Sequence, residues 1–85
     1  MPTRSAVVGS TVGLHARPAA LIADAVTRLG RTVTIAVPGG EPVDAGSALL
    51  IMTLGARLGD TVEVSGDDEE AVAEIAGLVE QELDD

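Results

Sequence analysis

The stretch Gly13-Leu14-His15-Ala16-Arg17-Pro18-Ala19-Ala20 contains the only histidine in the chain, and it reads as the start of a helix. Proline is tolerated in a first helical turn, because the amide it lacks would have had no intrahelical acceptor there. Beyond Pro18, the residues Ile22, Ala25, Val26 and Leu29 fall at the spacing of one helical face, and Gly30 is a favoured stop. The spacing predicts a helix over residues 16 to 29. His15 then stands where the first backbone amides point outward and the macrodipole is positive, an environment that favours an anion. Arg17 follows closely, with a permanently charged guanidinium whose fork matches phosphate oxygens.

The bulk properties limit what can be built around this stretch. Eighty-five residues suit one small domain, residues 1–85, that buries roughly 60–65% of its unfolded surface. With no Phe, Tyr or Trp, the core must be assembled from Val, Leu, Ile, Ala and two Met. A net charge of −9 and a pI near 4.2 argue against nucleic acid or an anionic membrane as partner. Eleven of the fourteen acids lie at or beyond Asp60, so the neighbourhood of Arg17, Arg28 and Arg31 is less negative than the total. Without cysteine there is no disulfide framework, thiol chemistry or zinc ribbon, and neither a metal nor a cofactor is expected. No apolar run, Ala48 to Met52 included, comes near the ~20 residues that span a bilayer. Nothing near Met1 resembles a signal peptide, and a soluble cytoplasmic protein is expected.

Along the chain, periodicity switches between two and 3.6. Residues 3 to 8 end in Ala-Val-Val and read as a strand, broken by Gly9-Ser10. Thr32 to Val37 alternates, placing Val33, Ile35 and Val37 on one face. Pro38-Gly39-Gly40 is a turn, after which Glu41-Pro42-Val43 can return as a partner strand. Pro42 cannot donate to a ladder, so that strand belongs at an edge. Ser47 can cap a helix over residues 48 to 54, whose apolar residues are too continuous for one buried stripe. Thr61 to Ser65 alternates again, with Val62 and Val64 inward. Asp67 can then cap a last helix, with Glu70 reaching back, and Val72, Ile75, Val79 and Leu83 form its apolar face. The order is βαββαβα, an α+β chain whose half-apolar strands and amphipathic helices stack as two layers.

Gly13 to Ala20 resembles the active-site signature of HPr, the histidine-containing phosphocarrier family of the bacterial phosphoenolpyruvate-dependent sugar phosphotransferase system. The resemblance extends over essentially the whole chain. It implies an open-faced two-layer sandwich, with a four-stranded antiparallel sheet of order 1-4-2-3 and three helices on one face. It also implies that the δ nitrogen of His15 accepts a phosphoryl group from Enzyme I and passes it to IIA proteins, with Arg17 orienting the group. The backbone amides of Ala16 and Arg17 are the expected donors to its oxygens, and a monomer is expected. Ser47 aligns with a serine that a kinase phosphorylates in some members, although as an N-cap it needs no kinase. Ala20, Leu21, Ala48, Leu49, Leu50 and Met52 resemble the family's docking surface. Where many relatives place basic side chains on that face, this chain has Asp24 and Leu50.

Three alternatives remain at this point. A nitrogen-branch paralogue has the same residues at its site. A regulatory module of the same fold lacks the histidine, and His15 counts against it. An acyl carrier-like protein using Ser47 is also small and acidic, but it needs an all-helical bundle. The alternation at residues 32–37 and 61–65 argues against that bundle. An autonomous enzyme is not expected, because neither a metal cluster nor a nucleotide-binding loop is visible.

Overall fold

Alternation builds a sheet, and two of the alternating runs form its centre. The computed structural model describes residues 2–81. Its elements in chain order are β1 (Thr3–Val7), α1 (Ala16–Leu29), β2 (Val33–Ala36), β3 (Val43–Asp44), α2 (Ala48–Met52), β4 (Thr61–Gly66) and α3 (Glu69–Glu80). The strands form one antiparallel sheet in the order β1-β4-β2-β3. Ile35 lies opposite Val64, and Ala6 opposite Val62, so one sheet face is aliphatic except at the β1 edge, where exposed Arg4 stands opposite Val64. Ala6, Val33, Ile35, Val62 and Val64 on that face are all buried beneath the helices, while Thr3, Ser5, Val7, Thr61 and Glu63 are exposed on the other. The sandwich is open, with helices covering one side only.

The helices supply the second layer. α1 buries Pro18, Ala19, Ile22, Ala23, Ala25 and Val26, with Leu29 packed against the core. It ends at Gly30, in the left-handed region, whose amide bonds back to the carbonyls of Val26 and Thr27. α3 buries Ala71, Val72, Ile75, Ala76 and Val79. Among the fully buried side chains the largest are Ile22, Ile35, Ile51 and Ile75, so branched aliphatics take the place of aromatic rings at the centre. The sheet also removes the acyl carrier-like alternative, which requires an all-helical bundle.

Several boundaries differ from the sequence expectation, each for a local reason. β3 is only two residues long and starts after Pro42, at the sheet edge where a residue without an amide proton belongs. α2 stops at Met52 rather than residue 54. The amides of Leu54 and Gly55 bond three residues back, to Ile51 and Met52, which tightens the last turn out of α-helical geometry. α3 is capped by Asp68, not Asp67. One Asp68 oxygen accepts the Glu70 amide at 3.0 Å and the other meets Arg31 Nε at 3.1 Å, a double use that Asp67 does not have. Glu70 thus contributes its backbone rather than reaching back as in a capping box. Leu83 lies outside the described residues.

Two variants test this packing. Ile35→Ala removes a buried side chain from the sheet centre and is expected to cost about 2–5 kcal/mol in denaturant unfolding. Gly77, inside α3, has open space where a Cβ would sit. Gly77→Ala should therefore raise stability by about 0.5–1 kcal/mol, read as an increase in the unfolding midpoint at constant slope.

Candidate functional site

Between β1 and α1 the chain must turn so that His15 emerges at a helix start, and Gly13 makes this possible. Its φ is +74°, a region that side chains with a Cβ avoid. A Cβ there would also stand 2.5 Å from the Ala56 carbonyl oxygen and 2.9 Å from the Arg57 Cα. The gap left open is used at once. Leu14 donates its amide proton to Ala56 O at 3.0 Å and buries its side chain, while Gly13 donates to Ser10 O at 2.9 Å. The facing loop is held in turn by Val8 N to Asp60 O (2.8 Å), Gly59 N to Val8 O (3.0 Å) and Arg57 N to Asp60 Oδ2 (2.9 Å).

His15 follows as the N-cap residue of α1, with extended backbone and an exposed side chain. Its imidazole makes no capping hydrogen bond, so the ring is not consumed in holding the helix. The His15 carbonyl accepts the Ala19 amide at 2.9 Å, the first bond of the helix. Ala16 and Arg17 therefore precede the hydrogen-bonded ladder, and Pro18 has no proton to offer. No acid occupies the first turn, so the positive helix end is not neutralised by a neighbouring carboxylate. Arg17 is exposed in the same turn. An exposed imidazole, a helix start and an exposed arginine thus fall within one turn, a set of groups chemically suited to holding a phosphoryl group.

The other expected residues lie on α1 and α2, which pack against each other. Ile51 alone of the α2 run enters the core; Ala48 and Met52 are half-buried against it. Leu49 is 70% exposed, Leu50 39% and Leu21 40%, and Ala20 is exposed beside Leu21. Core packing therefore does not account for Leu49 and Leu50. α2 itself carries no charged residue, and Arg17 and Asp24 on α1 oppose one another in sign. Ser47 is half-buried as the N-cap of α2, its Oγ accepting the Leu50 amide at 3.3 Å. Among the described residues no cluster of His, Cys, Asp and Glu is placed to hold a metal ion, and no helix is long and apolar enough to cross a membrane.

Sequence reasoning found the residues at the helix start but missed what seats them. Ser10, Ala56 and Asp60 hold the turn through bonds between segments distant in sequence, and no local pattern marks them.

The whole layout recurs in known proteins. A family model described as "PTS HPr component phosphorylation site" matches residues 2–81. The phosphocarrier protein HPr of Streptomyces coelicolor is 42% identical over 78 residues, covering 92% of this chain and 84% of its own. That of Mycoplasma genitalium is 32% identical, covering 89% of this chain and 90% of its own. The crystal structure of a phosphocarrier protein HPr from Bacillus anthracis superposes with a TM-score of 0.81 at 31% identity, over 92% of this chain and 95% of that one. Matched in its sheet order and along nearly all its length, this chain belongs to the HPr family of phosphocarrier proteins of the phosphotransferase system.

Proposed function

We propose that the chain, as a carrier domain over residues 1–85, takes a phosphoryl group from phosphorylated Enzyme I on the δ nitrogen of His15 and delivers it to IIA proteins. The observation that carries this reading is the uncommitted imidazole of His15 at the start of α1, with Arg17 in the same turn. In the loading step the unprotonated nitrogen attacks phosphorus in line. A phosphorus–nitrogen bond forms at His15 as the bond to the donor breaks, and Arg17 with the amides of Ala16 and Arg17 faces the oxygens. Nothing on the chain needs to activate water, and the partners supply the remaining catalytic groups. An exposed site keeps the phosphohistidine reactive, since a carrier that binds its cargo too tightly cannot release it.

Docking falls to the face of Ala20, Leu21, Ala48, Leu49, Leu50 and Met52, with the protein a cytoplasmic monomer. Exposed leucines on a face that no core needs suit transient contacts with successive partners. Ser47 is assigned to helix capping. Its phosphorylation would add charge beside Leu49 and Leu50 and so oppose docking, and incubation with a protein kinase and intact-mass readout tests whether it is modified at all.

Incubation with phosphoenolpyruvate and Enzyme I is expected to add one acid-labile phosphoryl group to the wild type and none to His15→Ala, read by intact mass. No addition, with an active control carrier in the same tube, would shift the assignment to the nitrogen-branch or regulatory paralogue. Arg17→Gln should lower the transfer rate constant on the order of 10–100-fold, and Arg17→Lys less, since lysine keeps the charge but loses the fork. Equal rates for all three would remove Arg17 from the site.

A further inference from the structure

Ser10 is the polar side chain that the described part of the molecule buries completely, at 0% exposure. Buried hydroxyls are retained where they meet a specific acceptor, and Ser10 Oγ donates to the carbonyl oxygen of Gln81 at 3.2 Å. Gln81 is the C-cap of α3, in extended conformation and without a glycine to fold back over the last turn. The carbonyls left unpaired at a helix end must find partners elsewhere. Here they find the loop before His15. Gly9 N donates to Val79 O at 3.0 Å, and beside it the amide of Val7, the last residue of β1, donates to the Glu80 side-chain carboxylate, Oε2 at 3.2 Å. The approach is so close that a Cβ on Gly9 would overlap the Glu80 carbonyl.

We propose that Ser10 is a positioning residue for phosphoryl transfer: by clasping the end of α3 it fixes one side of the turn from which His15 projects. The route is continuous. Ser10 O accepts the Gly13 amide, Leu14 bonds to Ala56 O on the other side, and His15 follows directly. The turn is thus held between two anchors, the α3 terminus and the loop at residues 56–60. Releasing the Ser10 anchor lets the ring and the first α1 amides lose their common alignment. The docking face on Ala20 to Leu21 and α2 is untouched. Reaction geometry is sensitive to small misplacements, so the effect belongs in the rate of transfer and not in partner affinity. This inference rests on His15 being the phosphoryl acceptor.

The test compares wild type, Ser10→Ala and Ser10→Thr in steady-state transfer from Enzyme I, with circular dichroism confirming the fold. Ser10→Ala is expected to lower kcat several-fold at unchanged KM, to shift the ring-proton resonances of His15, and to be rescued by Ser10→Thr, which keeps the donor. A folded Ser10→Ala with wild-type kcat overturns the positioning role while leaving the carrier reading intact. A wild type that takes up no phosphoryl group overturns both. Should Ser10→Ala not fold, hydrogen exchange on the unmodified protein decides. Amides of Gly9, Gly13 and Leu14 exchanging together with Gln81 of α3 support the clasp, and exchange of the loop amides far ahead of Gln81 overturns it.

Discussion

Leu14 reaches the Ala56 carbonyl only because Gly13 leaves room for it, and this single backbone contact orients everything that follows. With Leu14 buried and its amide engaged, the chain enters α1 at a fixed point and in a fixed direction. His15 cannot then turn inward, since the residue before it occupies the core and its own carbonyl begins the helix. The exposure of the imidazole is therefore imposed from the interior. It does not depend on a polar surface network that a partner would have to break on docking.

The sheet and the site were legible in the sequence to different depths. α1 was read to the residue, because Pro18, a run of apolar residues at helical spacing and Gly30 each mark it independently. β2 and β4 followed from strict alternation, within one residue at their ends. The edge position of β3 came from Pro42, but its two-residue length did not, since that depends on where β2 stops pairing. The α3 cap was misplaced by one residue. Local pattern points to Asp67, with Glu70 three residues on, whereas the cap is Asp68, which also meets Arg31 from another part of the chain. The same limit applies at the site. His15 and Arg17 announce themselves by type and spacing. Ser10 and Ala56 gain their importance from segments that meet only after folding.

Charge is distributed unevenly over the surface. Asp68, Glu69 and Glu70 lie at the positive end of α3, where carboxylates favour the helix dipole. Glu63 projects from the open side of the sheet, away from the helices. α2 itself carries no charge, with Asp44 just before its cap and Arg17 and Asp24 on the neighbouring α1. A protein carrying −9 overall thus leaves α2 itself without charge, so on the docking proposed above long-range attraction would contribute little from that helix.

A core of isoleucine, valine and alanine leaves the imidazole of His15 as the sole aromatic ring in the chain. In heavy water, once the amide protons have exchanged, the downfield region of a proton spectrum belongs to that ring alone. Any change at the ring, the proposed phosphorylation included, can then be followed on unlabelled protein, with no assignment step, because there is no second ring to confuse the signal. The absence of indole and phenol also makes the protein nearly silent at 280 nm. A tryptophan placed anywhere would be an optical reporter without background.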